Sequence, residues 1–367
     1  MKKQRNLALD FLKIIATTII IFHHYQQVTG AFFYGKINFY NGKFPWEYIV
    51  ELFFIISGFL TFKYIKKIND NKINLKEFFL KRLLRFAPLL LAGAVVYEII
   101  IIIYKNLYNS FWLGIRPNLW GTIIDTLGIQ AGWSFPNPFV NNPTWCISVL
   151  LLCYVIFYIS TKIAKKYNFS PYYAYIFIIL IGCGVKTYGI ELPFLNVHSC
   201  RGFYSFFAGL ILAKFLKDKK ISWRVGLISL LVICLFTFIF VKHSDLIPSG
   251  IEYLLTFVIY PAFIILLSTN IFNKIFNFKI ISKLSEISYN VFIWHNPMLP
   301  ALFVAIKLLN KTPNFNRLCW MLLFALIAWI VGIISHYSYS IPMKKATDKI
   351  AQKLKIGENY EKKRRKK

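Results

Sequence analysis

The sequence predicts an all-α integral membrane protein of about ten transmembrane helices with both termini cytoplasmic. Three observations lead there. The 367 residues are 57% hydrophobic and only 16% charged, where soluble domains run nearer a quarter charged. Apolar runs of about 18 or more residues, the length that crosses a bilayer, recur along the whole chain. Basic residues divide unevenly between alternate loops. With ten spans, 33 of the 44 Lys and Arg lie on the side of the termini and 10 on the other, and the basic side is the cytoplasmic one.

The spans are expected at residues 9–29, 47–64, 86–104, 143–161, 170–187, 200–216, 223–241, 251–269, 286–306 and 317–340. Lys2, Lys3 and Arg5 before the first run look like a signal peptide. However, the run has no small-residue cleavage site and ends in His23-His24, so it reads as a retained helix. Segment 105–142 holds Trp112, Trp120 and Trp133 and suits the outer headgroup level, with room for a short interfacial helix in "LWGTIIDTLGIQAGW". Pro88, Pro261 and Pro297 lie in or beside spans and mark positions that face protein rather than lipid. Residues 1–340 form the membrane-embedded domain, and 341–367 a basic cytoplasmic tail.

The net charge of +29 resides in short loops and in the tail "ENYEKKRRKK". It therefore reflects membrane orientation, with a weak pull toward anionic lipid, rather than a nucleic-acid-binding face. The six cysteines are scattered without C-x-x-C or metal-ligand spacing, so neither a disulfide framework nor a metal site is expected.

Ionisable residues inside spans are costly and point to function. The first span carries Asp10, Lys13, His23 and His24. Lys13 and His24 are eleven residues apart, roughly 16 Å and within about 20° on a helix, and Thr17 falls on the same stripe. His23 is turned away by some 80°. One polar stripe thus leads from the cytoplasmic end to His24. In "WEYIVELFFIISGFL", Glu47 and Glu51 share a face, with Glu51 the deeper, while Ser57 and Gly58 permit close helix approach. In "FFLKRLLRFAPLL", Lys81 precedes Arg82 and Arg85, whose i, i+3 spacing gives a phosphate clamp or ordinary basic anchoring. Tyr289, Asn290 and His295 are polar groups inside the ninth span, suited to chemistry or to structural hydrogen bonding.

In this order the pieces resemble the acyltransferase-3 family of integral membrane acyltransferases. "LDFLKIIATTIIIFHH" looks like the family's opening helix, and "VELFFIISGFL" like its acidic-Leu-Phe-Phe-x-x-Ser-Gly-Phe element. "KRLLRFAP" is similar to its Arg-x-x-Arg loop, "NPTWCISVLLLCY" to its Pro-x-Trp element, and "SYNVFIWHNP" to its Ser-Tyr…His-x-Pro element. The resemblance runs from about residue 5 to 340. It implies transfer of an acyl group, acetyl above all, from cytoplasmic acyl-CoA to a hydroxyl of a cell-surface glycan or its lipid-linked precursor. The setting would be the bacterial cytoplasmic membrane, alongside polysaccharide-synthesis proteins. Acyl-CoA enters as substrate, with no resident cofactor. His24 and Glu51 are then the catalytic candidates, and Lys13, Arg82 and Arg85 the donor-binding ones. Asp10, Trp145, Tyr289 and His295 serve the acceptor or the polar framework. His24 would act as general base or carry the acyl group itself, with Glu51 orienting it.

The sequence departs from the family in places. Lys13 stands where arginine is common, and Leu150 and Leu151 where many relatives have glutamates. No hydrolase-like domain is appended, so the membrane domain or a separate protein is expected to complete transfer. The competing class is a transporter or flippase for a saccharide, which would also need helices and buried charges. Transporter halves often repeat, and no repeat is visible here.

Overall fold

In a computed structural model, residues 6–132, 140–217, 221–242 and 250–353 are described. Trp133 and the distal tail, 354–367, lie outside the described residues. Among the described residues every regular element is a helix, and the lone β-bridge joins Leu192 and Leu195. In chain order they are α1 (Leu7–Thr29), α2 (Ile49–Thr61), α3 (Tyr64–Asn69), α4 (Leu75–Tyr108), α5 (Leu119–Leu127), α6 (Trp145–Lys166), α7 (Pro171–Tyr188) and α8 (Val197–Leu216). There follow α9 (Trp223–Lys242), α10 (Ile251–Leu254), α11 (Tyr260–Leu267), α12 (Asn270–Ile275), α13 (Lys279–Trp294), α14 (Met298–Leu308), α15 (Leu318–Ser335) and α16 (Ile341–Lys353).

Among the described residues, five helices are long and apolar enough to cross a membrane: Leu7–Thr29, Leu75–Tyr108, Asn142–Lys166, Trp223–Lys242 and Leu318–Gln352. A sixth is the pair α13 and α14 taken together, bent by 64°. This is a multi-pass membrane protein. Helices also occupy the other four expected spans, but α2, α7, α8 and the segment Ile251–Leu267 fall short of the same measure of length and apolarity. α8 falls short because it carries His198, Arg201 and Lys214, while its Phe203, Phe206, Phe207 and Leu210 are buried.

Sequence chemistry sets the ends. Asn6 caps α1 by accepting from the Leu9 N–H, and Gly30 closes it in the left-handed region at φ 66°. Asn74 caps α4 by accepting from the Glu77 N–H. The third span was expected at 86–104, but its helix runs from Leu75 to Tyr108, because a favourable cap lies well before the apolar run. Pro88 is tolerated within α4, where the Tyr289 and Tyr339 hydroxyls donate to the carbonyls of Phe86 and Pro88. At the other end α15 continues through a π-helical segment, His336–Ser340, into α16, so no structural break separates domain from tail at residue 340.

Two glycines let α2 and α8 meet backbone to backbone. A Cβ on Gly58 would overlap the Phe206 carbonyl oxygen, and one on Gly209 the Ile55 carbonyl oxygen. This is the small-residue packing by which membrane helices approach closely.

Candidate active site

α1, α2, α3, α4, α6 and α13 line a cavity of about 540 Å³. Its α1 wall is Lys13, Thr17 and Ile20, one face of that helix spanning seven residues, roughly 10 Å. Seven basic side chains line it (Lys13, Lys63, Lys67, Lys72, Lys81, Arg82 and Arg85) against two acidic ones, Glu77 and Glu286. Lys72 pairs with Asp70 at 2.7 Å, Lys81 with Glu77 at 2.8 Å, and Lys13 with Asp10 at 3.2 Å. Apolar and small side chains, among them Val50, Phe54, Cys146, Ile147 and Phe292, complete the lining.

Arg82 is held by aromatic faces. Its guanidinium carbon lies 3.5 Å from the Phe78 ring centroid, 4.3 Å from Tyr154 and 4.8 Å from Tyr64, and Nη1 donates to the Phe78 carbonyl at 2.7 Å. Such stacking fixes the plane of the guanidinium fork. Arg85 lines the same cavity one turn on, 5.7 Å from the Phe86 ring.

One turn beyond Ile20 stands His24. Its Nδ1 lies 2.8 Å from Nε2 of His295, and the two rings stack at 5.0 Å with 13° between their planes. The hydrogen-bond chain assigns the protons. His295 Nδ1 faces the Phe292 carbonyl oxygen at 2.5 Å, and a carbonyl only accepts, so that nitrogen carries the hydrogen. With one proton per ring, His295 Nε2 accepts, His24 Nδ1 donates, and His24 Nε2 keeps its lone pair. His295 itself is fully buried. Neither ring is among the residues that line the cavity; the nearest lining residues in the chain are Ile20, one turn before His24, and Phe292, whose ring is 5.4 Å from that of His295. His23 faces elsewhere, its Nδ1 donating to the Phe39 carbonyl at 2.7 Å.

Glu51 does not take the place expected of it beside His24. Its two oxygens accept from Arg201 Nε and Nη2 at 2.6 and 2.8 Å and from the Tyr204 hydroxyl at 3.2 Å. Arg201 also donates to the Glu47 carbonyl and lies over the rings of Tyr48 and Trp145. A fully buried carboxylate takes the strongest donor within reach, and that is a guanidinium on α8. The side chain that hydrogen-bonds His24 is His295.

The remaining candidates sit as follows. Asp10 bridges Lys13 and the Ser285 hydroxyl, which donates at 2.9 Å. Tyr289 lines the cavity and donates to the Phe86 carbonyl. Trp145 stacks on His198 at 4.8 Å, between α6 and α8. Sequence reasoning missed Arg201, Asn141 and the contribution of Lys63, Lys67 and Lys72 to the cavity. Arg201 was traceable, since Glu51 inside a span demands a cation and Arg201 opens the sixth one.

A family model described as an acyltransferase domain matches residues 6–337. The chain belongs to the acyltransferase-3 family. Within curated proteins this acyltransferase is similar to the peptidoglycan O-acetyltransferase OatA of Listeria monocytogenes, 21% identical over 374 residues. The match covers 92% of this chain and 56% of the relative, so the acyltransferase spans about half that protein's length. No solved structure matches it.

Proposed function

We propose that the protein is a membrane O-acetyltransferase that carries an acetyl group from cytoplasmic acyl-CoA to a glycan or lipid-linked saccharide hydroxyl. The observation that carries this reading is the His24–His295 pair, which leaves an unprotonated imidazole nitrogen one turn beyond Ile20, the last α1 residue to line a cavity rich in basic groups. The acyl-CoA phosphates would meet Arg82, Arg85 and the neighbouring lysines. Charge-assisted hydrogen bonds to phosphate are the strong ones, and the guanidinium fork fits phosphate oxygens. The pantetheine arm would lie along Lys13 and Thr17, whose stripe to His24 is roughly 16 Å long.

In the transfer step His24 Nε2 takes the proton of the acceptor hydroxyl as its oxygen attacks the thioester carbonyl carbon. The carbon–sulfur bond then breaks, the acetyl group stays on the acceptor oxygen, and the imidazolium returns the proton to the departing thiolate. His295 holds the base in the required tautomer. The 33-to-10 division of basic residues supports donor entry from the cytoplasm. The OatA relative supports acetyl as the group and a glycan as the acceptor.

The test is purified protein in liposomes supplied with acetyl-CoA and a soluble saccharide acceptor. Protein-dependent thiol release with acetyl on the saccharide is expected. Saccharide flux across the liposome without thioester cleavage would overturn the reading in favour of transport.

A further inference from the structure

The break between α13 and α14 is where His295 sits, and it poses a problem of unpaired backbone. In a continuous helix the Ile293 carbonyl would accept from the N–H of residue 297, four residues on. Residue 297 is proline and has no N–H. The orphaned Ile293 carbonyl instead accepts from Asn141 Nδ2 at 3.2 Å. The other half of the same amide, Asn141 Oδ1, accepts from Asn296 Nδ2 at 3.0 Å. A single side chain thus grips the residues on both sides of His295.

Asn141 is itself fixed. It is 1% exposed, and its backbone N–H donates to Asp125 Oδ2 on α5 at 2.7 Å. Its carbonyl accepts from the Thr144 hydroxyl at 2.8 Å, at the foot of α6. Gly93 of α4 leaves room for this approach, because a Cβ there would lie 2.6 Å from Ile293 Cγ2 and 3.5 Å from Asn141 Nδ2.

We propose that Asn141 is a positioning residue for the reaction: by bracing the broken helix on either side of His295 it fixes that imidazole, and through it the orientation of His24. The proposal rests on the reading of His24 as the base. Asn141 lies outside the residues that line the donor cavity, so its loss acts on turnover rather than on donor binding. A displaced base costs up to about a hundredfold in rate for an ångström of misplacement.

Two measurements on Asn141→Ala test it in the full-length protein. Nitrogen NMR of histidine-labelled protein in liposomes, with His24→Ala and His295→Ala for assignment, reads the tautomers of both rings without any turnover. Kinetics with acetyl-CoA read kcat and KM. The ring signals of His24 and His295 should shift, with kcat about tenfold to a hundredfold lower and KM for acetyl-CoA unchanged. Asn141→Asp keeps the acceptor for Asn296 and loses the donor to Ile293, so it should fall between; it also serves if the alanine variant does not fold. Wild-type ring signals in either variant overturn the brace. Shifted signals in a protein whose wild type transfers no acetyl group would leave the brace standing and remove the enzymatic reading instead.

Discussion

Arg201→Met should unfold this protein readily, and adding Glu51→Met should restore it. Glu51 is 0% exposed, and Arg201 supplies two of its three side-chain hydrogen bonds, at 2.6 and 2.8 Å. Removing the guanidinium leaves a buried carboxylate with only the Tyr204 hydroxyl, and breaking a buried pair in this way costs about 3–5 kcal/mol. Replacing both partners with methionine removes the stranded charge along with the pair, and such exchanges are often neutral or stabilising. Melting of the detergent-purified variants reports stability, and acetyl transfer per folded molecule reports function. The single variant should melt well below wild type, while the double variant recovers most of the loss and keeps turnover. A double variant that folds like wild type but transfers nothing would refute the reasoning and return Glu51 to the reaction. A single variant that melts like wild type would show that the pair holds nothing together.

Three further outcomes can be checked. Arg82→Ala with Arg85→Ala should raise the KM for acyl-CoA with little change in kcat, since hydrogen bonds between charged groups are worth roughly 1.5–3 kcal/mol each; unchanged donor binding in the folded double variant would make them mere anchors. Arg82→Lys should rescue poorly, because an ammonium has no planar fork to stack among Phe78, Tyr154 and Tyr64. Burial lifts the Asp125 carboxyl from 3.8 to about 7, against the lowering effect of the Asn141 and Val140 N–H groups. Its folded form therefore favours the proton, so its contribution is full below about pH 4 and is lost as pH rises toward 7, on the order of 4 kcal/mol in all. Asp125→Asn should flatten the fall in melting temperature between pH 5 and pH 8, and an unaltered slope would contradict the assignment.

Legibility followed the physics of each element. The stripe of Lys13 and Thr17 could be read because helical periodicity alone puts those residues on one face. Arg82 and Arg85 stood out by their i, i+3 spacing, although cations at a span's edge are also ordinary anchors. Helix ends were harder. Hydropathy marks where lipid is met, whereas α4 begins at the Asn74 cap, among charged residues that hydropathy rejects. The partnership of His24 with His295 joins residues 271 apart, and nothing local encodes it. The partner of Glu51 was out of reach for the same reason. Its depth was evident, but its choice between His24 and Arg201 depended on how α2 and α8 pack through Gly58 and Gly209. Asn141 lay in a stretch read as a loop, where an asparagine ordinarily means only a turn.

Assigning the base to His24 Nε2 sets the two adjacent histidines apart. His24→Ala, His24→Gln and His23→Ala are compared by initial rate of acetyl transfer against pH, normalised to folded protein. Loss of a general base costs roughly 10²–10⁴ in rate. His24→Ala should fall by that factor while still binding acyl-CoA, and His24→Gln should not recover, since an amide hydrogen-bonds but takes up no proton. His23→Ala loses its bond to the Phe39 carbonyl and its edge contacts with the rings of Tyr40 and His24, but no base, and should keep turning over. An active, well-folded His24→Ala beside an inactive His23→Ala would contradict the account and place the chemistry on the other face of the first helix.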